Sequence, residues 1–205
     1  MIYHGSRRLY FLIVDWHTVD GLHHTGLSRP MQKIPLKIKI FLWYLQKGVV
    51  LTKDNLAKKN WTGSQKCCGC NINESIDHLF LDCPYARMVW RIISYATGLT
   101  PPNSIRHMFG SWLSNQSKKI RNLIWVGVAA VCWAIWRCRN DIIFHKVKYH
   151  SILQVIFRGT YWLRFWAQLQ REEQAKTALS LMTRNIETIA LEFIKGGWNT
   201  FYRLL

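Results

Sequence analysis

The chain has 205 residues, is 49% hydrophobic and 14% aromatic, and carries eleven tryptophans. That much apolar surface excludes wholesale disorder and suffices for one large core or two small ones. Twenty-eight Lys and Arg against eleven Asp and Glu give a net charge of +17, which favours a polyanionic partner such as nucleic acid, or an anionic membrane surface.

Residues 1–30 show little periodicity and stay unassigned. Their one apolar run, LYFLIV, ends at Asp15 and lacks a small-residue cleavage site, so it reads as a strand or buried turn and not as a secretion signal. The expected compartment is therefore intracellular, nuclear or cytoplasmic, and reducing, where clustered cysteines point to metal before disulfide. From Pro35, PLKIKIFLWYLQKG predicts a helix with Leu36, Ile40, Trp43 and Tyr44 on one face. Ile38, Phe41, Leu42 and Leu45 widen that face, and Gly48 stops the helix. The alternation L-K-I-K-I also fits a short strand. Thr52 can cap a helix over Lys53 to Asn60, with Leu56 as its inward residue.

Pro84 suits a first helical turn, and PYARMVWRIISYATG places Met88, Ile92 and Tyr95 on one stripe flanked by Val89 and Ile93. Gly98 and the proline-rich break 98–104 end it. Next comes an apolar helix within 117–145. Its uncharged run Leu123 to Trp136 falls short of the roughly twenty residues of a bilayer span, so a helix buried in a bundle is expected and a membrane partner is not. Apolar positions at 152, 155, 156, 162, 163, 166 and 169, with Gly159 in the stripe, predict a further helix. Those at 179, 182, 186, 189, 190 and 193 predict another, stopped by Gly196 and Gly197. The expected organisation is an unassigned segment 1–30, a metal-binding domain 31–97, a linker 98–116 and a tryptophan-rich helical region 117–205. The fold class is mainly α: a small metal-stapled helical domain followed by a helical bundle or hairpin, with few or no strands.

Four of the six cysteines fall in CCGCNINESIDHLFLDC, residues 67–83. Cys67, Cys70, His78 and Cys83 form C-x2-C-x7-H-x4-C. A C-x2-C turn presents two thiolates to one ion at about 2.3 Å, and three thiolates plus one neutral imidazole fill the tetrahedral shell that zinc prefers. Gly69 lets the turn fold tightly. A filled shell leaves no position for water or substrate, so one Zn2+ here would be structural. Cys68 is the surplus thiol, a bystander or an exchange partner for Cys67. Cys132 and Cys138 share no helix face and read as buried free thiols. His145 and His150 have no partner at ligand spacing.

At these residues the chain resembles a known family. The run KIPLKIKIFLWYLQKGVVLTKDNLAKKNW, the C-x2-C pair and ESIDHLFLDCPYARMVW are similar to the zinc-binding domain that follows the polymerase of plant LINE-type non-LTR retrotransposons. The resemblance covers roughly residues 33 to 90. It rests on the P-x-K-x-x-x-F-x-W start, the H-L-F-x-x-C centre and the downstream Trp90. WAIWRCRNDIIFH, residues 133–145, is similar to the segment that commonly follows that domain. The resemblance gives Cys67, Cys70, His78 and Cys83 the ligand roles. It also implies a polymerase upstream, for which some thirty residues are too few, and no Asp-Asp pair occurs in the chain. The expectation is a transposon-protein tail standing alone.

Enzymatic chemistry is not expected. The carboxylates are scattered without two-metal spacing, and no phosphate-binding glycine loop or nucleophile elbow occurs. A small-molecule substrate is not expected either. Two readings remain. In the first the module binds nucleic acid: Lys37, Lys39, Lys47, Lys53, Lys58 and Lys59 contact phosphates and Trp61 stacks on unpaired bases. In the second it is an interaction or scaffold remnant whose helices after 117 dock on a polymerase or another transposon protein.

Overall fold

The computed structural model describes residues 34–145, 147 and 151–196. The apolar run 9–14, Lys33, His150 and Gly197 lie outside the described residues. Seven α-helices are present among them: α1 (Leu36–Gln46), α2 (Lys53–Ala57), α3 (Pro84–Thr97), α4 (Ile105–Phe109), α5 (Lys118–His145), α6 (Ile152–Gln168) and α7 (Glu173–Lys195). A π-helical turn spans His78–Asp82. The described residues form no strand. Their one isolated β-bridge pairs Lys66 with Asn73, so the mainly α expectation holds.

The helices end where backbone chemistry requires. Gly48 and Gly98 both take φ +71°, the left-handed conformation that glycine adopts without a Cβ penalty. The Gly98 N–H closes α3 on the Ser94 carbonyl at 2.8 Å. At α6 the Ser151 hydroxyl accepts from the Gln154 N–H, and the Gln154 side chain accepts from the Ser151 N–H, a reciprocal box that satisfies two orphan donors. Thr52 precedes α2 as expected, but its hydroxyl makes no cap bond to the helix. The Glu74 carboxylate instead accepts the Lys53 N–H at 3.0 Å.

Three predicted faces are rotated. α1 buries Ile38, Phe41, Leu42 and Leu45, while Leu36 is exposed and Ile40, Trp43 and Tyr44 are half-buried. α1 is apolar almost all round, so its periodicity does not single out the inward side. α3 turns Ala86, Val89, Trp90, Ile92 and Ile93 inward and leaves Tyr95 70% exposed. α2 stops at Ala57, and its buried residue is Asn55, not Leu56. The Asn55 amide donates to the Gly48 and Val50 carbonyls, both at 2.8 Å. Those bonds tie the turn that follows α1 to α2.

α5, α6 and α7 pack on one another, and α3 lies against α7 and α6. The predicted stripes of α6 and α7 point into this core at Ile152, Val155, Ile156, Leu163, Trp166, Leu179, Ile186 and Ala190. The uncharged run 123–136 is the middle of a 28-residue helix that is long and apolar enough to cross a membrane by length and composition. Half of its most apolar stretch is buried inside the fold. Residues 98–116, expected to link two units, put Ile105, Met108 and Leu113 into the same core. Asp77 receives the Ile105 N–H at 2.7 Å, and Phe109 stacks on Trp125 at 5.1 Å. Prolines and glycine shape this segment, and its apolar side chains are what bury it.

Gly159 sits where α6 crosses α5. A Cβ there would lie 3.7 Å from the Ala134 Cβ and 3.8 Å from the Ala130 carbonyl oxygen, ordinary contact distances. Gly159→Ala should therefore stabilise by about 0.5–1 kcal/mol through helix propensity. That corresponds to a rise of about 1–4 °C in the thermal midpoint for a chain of this size. A lower midpoint would mean that the two helices cannot spare the space.

Candidate metal centre

Residues 65–74 form a tight loop. The Cys67 N–H donates to the Ile72 carbonyl at 2.8 Å and the Glu74 N–H to the Gln65 carbonyl at 2.9 Å. This presents Cys67 and Cys70 from one turn. Gly69 inside it has no positive φ, so the freedom it was expected to supply is not used. Its value is space: a Cβ would meet the Tyr85 ring at 3.0 Å and lie 3.7 Å from the Cys83 sulfur. Its N–H points at the Cys67 sulfur at 3.4 Å, a donor suited to a thiolate.

His78 and Cys83 come from the π-helical turn. Residues five apart on an α-helix point about 140° away from each other. An i→i+5 bond stacks them instead, and here the Cys83 N–H reaches the His78 carbonyl at 2.7 Å. The Trp90 indole fixes the turn by donating to the Phe80 carbonyl at 2.8 Å. The ligand atoms of Cys67, Cys70, His78 and Cys83 lie within 4.8 Å of one another, and Cys67, His78 and Cys83 are buried. Cys83 lies 3.9 Å from both the Cys67 and Cys70 sulfurs. A tetrahedron with metal–sulfur bonds of about 2.3 Å has edges of about 3.8 Å. The Cys70 sulfur approaches the His78 Nε2 more closely, at 3.1 Å.

The electrostatics of the sulfurs also fit a cation. Hydrogen bonds from Cys68 and Cys83 hold the Cys67 thiol far below its ordinary range. The bond that Cys83 makes with Cys67, then burial, pushes Cys83 up. Burial raises Cys70, and the bond to Cys67 raises Cys68. Protein groups alone thus favour one thiolate among the clustered sulfurs. A divalent ion reverses that order, because a coordinating thiol is deprotonated outright. Cys132 and Cys138 are buried in α5, and burial pushes them up to about 12 and about 11, consistent with inert core thiols.

Glu74 was overlooked at the level of sequence. It is 1% exposed and accepts two bonds from Arg139 of α5, from Nη2 at 2.7 Å and from Nε at 3.2 Å. Arg139 is equally enclosed. It also donates to Asn140 at 2.9 Å and lies 5.0 Å over the Trp136 ring. An aromatic cluster closes the same joint: Phe41 meets Trp133 at 5.2 Å and Trp136 at 6.0 Å, and Phe80 meets Trp136 at 6.5 Å. A charged residue at the end of an apolar run was the available signal for Arg139. Its partner, far away in sequence, gave none. Cys68 approaches Cys67 and Glu74 within ligand range, but the Glu74 oxygens already serve Arg139 and Lys53.

The candidate nucleic-acid residues separate. Lys37, Lys47, Lys58 and Lys59 are exposed, and Lys39 and Lys53 are half-buried. Lys37 lies 6.0 Å over the Trp133 ring, burial lowers the Lys39 pKa, and Lys53 donates to the Lys66 carbonyl. Trp61 is 40% exposed, the one exposed tryptophan among the described residues, and its ring folds over Gly63.

These observations define a small knuckle with a closed Cys3His donor set, built onto a helical bundle. Residues 29–90 match the family described as zinc-binding in reverse transcriptase. The matched segment is less than a third of the chain and contains all four donors. No curated protein and no solved structure matches the chain.

Proposed function

We propose that the chain is a non-catalytic module in which Cys67, Cys70, His78 and Cys83 hold one structural zinc ion and the adjoining basic surface binds nucleic acid. The observation that carries the first half is the closed donor set: three sulfurs and one imidazole nitrogen within mutual ligand range. Bound there, the ion supplies cross-linking of the loop to the π-helical turn, with no coordination position left for a reacting group. The second half rests on the net charge of +17 and on the exposed Lys37 of α1 and Lys47, Lys58 and Lys59 just past the ends of α1 and α2. The motif resemblance supports an origin in a plant LINE-type reverse transcriptase.

The test is a titration of labelled single-stranded RNA and duplex DNA by fluorescence anisotropy between 50 and 300 mM salt. If phosphates are neutralised, log affinity falls with log salt at about −0.9 per phosphate on duplex and about −0.7 on a single strand. A flat response would sink the phosphate reading. An interaction module is the second reading, favoured by a stripe on α6. Phe157, Tyr161 and Phe165, spaced i, i+4 and i+8, are 39%, 60% and 51% exposed. Salt-insensitive self-association, with no affinity for either nucleic acid, would favour it.

A further inference from the structure

A polar groove of about 620 Å³ runs between the end of α1, α2, the residues leading into the π-helical turn, and α4. Lys47, Lys58 and Arg106 line it, and all three are exposed. They come from three separate parts of the chain. We infer that this groove is the track for a single-stranded phosphodiester backbone, with Lys47, Lys58 and Arg106 as its phosphate contacts. The inference rests on the nucleic-acid reading above and deepens it: it names the form of the ligand and adds Arg106, which the sequence did not single out.

Two features suit this groove to a polyanion. First, its cations are not neutralised internally. Five arginines elsewhere are paired: Arg87 with Asp82, Arg137 and Arg158 with Asp141, Arg139 with Glu74, and Arg164 with Glu187. Among the described residues neither Lys47, Lys58 nor Arg106 makes an ion pair. The groove's two carboxylates serve backbone donors. Asp77 receives the Ile105 N–H at 2.7 Å, and Asp54 receives the Asn55 N–H at 2.8 Å. Lys58 bonds the neutral Asn55 carbonyl at 2.9 Å.

Second, backbone carbonyls beside the groove already have donors. In the turn after α1 the Asn55 amide donates to the Gly48 and Val50 carbonyls, so neither meets an approaching anion unpaired. The result is a concave, hydrogen-bonding surface with three cations and two carboxylates along it, net positive. Its volume falls within the range of about 300–1,000 Å³ that holds small ligands, enough for a nucleotide or two. A flexible single strand can thread such a groove. A duplex carries its phosphates on the outside of a rigid cylinder and can only lie across the rim.

Arg184, by contrast, is exposed on α7, a helix that contributes no residue to the groove. It serves as the control.

The experiment uses the zinc-loaded full chain and labelled 15-nucleotide oligothymidylate, oligouridylate and a 15-base-pair duplex. The triple variant Lys47→Gln/Lys58→Gln/Arg106→Gln should bind the single strands at least tenfold more weakly at 100 mM salt. Its salt slope should shrink by about two, at about 0.7 per lost contact. Arg184→Gln should leave both unchanged, and the charge-conserving Lys47→Arg/Lys58→Arg/Arg106→Lys should keep the wild-type slope. Unchanged circular dichroism and zinc content show that each variant is folded. A triple Gln variant with the wild-type slope overturns the groove and leaves nucleic-acid binding standing. Wild-type protein that prefers the duplex overturns the single-strand assignment. Wild-type protein that binds none of the three overturns both readings.

Discussion

Stripping zinc with a chelator, or replacing Cys83 by serine, is expected to unfold the protein. Metal binding at structural Cys/His sites is worth about 10–16 kcal/mol apparent, and a domain's entire stability is about 5–15 kcal/mol. The site offers little to replace it. Cys83 is 4% exposed and belongs to both the donor set and the start of α3, so its loss opens the turn and the helix together. Elemental analysis should find about one zinc per chain in the wild type and none in Cys83→Ser, with loss of cooperative melting by circular dichroism. Cys68→Ser should keep the metal and the melt, because Cys68 is not part of the four-ligand group. A metal-free wild type that melts cooperatively and at the same temperature with and without chelator would refute the structural-ion reading.

Arg139→Met is expected to be the most damaging single change away from the ligands, at about 3–5 kcal/mol. The guanidinium and the Glu74 carboxylate are 3% and 0% exposed. Removing one partner leaves a buried charge uncompensated, and that penalty exceeds the net worth of the pair. Glu74 lies between the candidate ligands Cys70 and His78 in the chain and also receives the Lys53 N–H. Its displacement should therefore loosen the zinc loop as well. Urea melts followed by tryptophan fluorescence, with zinc release followed in the same samples, should show one coincident transition at lower denaturant. Glu74→Gln combined with Arg139→Met should recover part of the loss, the signature of coupled residues. Zinc release unaffected by Arg139→Met would show that the loop does not lean on α5.

What the sequence disclosed follows from the range of each interaction. Cys67, Cys70, His78 and Cys83 fall in one short stretch, so their spacing reports their geometry almost directly. The stops at Gly48 and Gly98 are equally local, since a left-handed residue depends on its own backbone. The stripes of α6 and α7 were legible because each buries one face and wets the other. α1 was not, being apolar on nearly every side: its inward direction is set by Trp133 and Trp136, far along the chain. The role of 98–116 was hidden for the same reason, because Pro101 and Pro102 describe a bend and say nothing of what Ile105 and Met108 touch next. Glu74 and Arg139 find each other only after folding.

The aromatic joint at Phe41, Phe80, Trp133 and Trp136 has a practical consequence. The recognisable segment and the physically complete object have different limits: one closes near Trp90, while the wall that shields its phenyl rings from water is supplied by a helix that begins well downstream. A fragment trimmed to the motif would expose that greasy flank, so a worker seeking the smallest well-behaved piece should carry the downstream helix along with it.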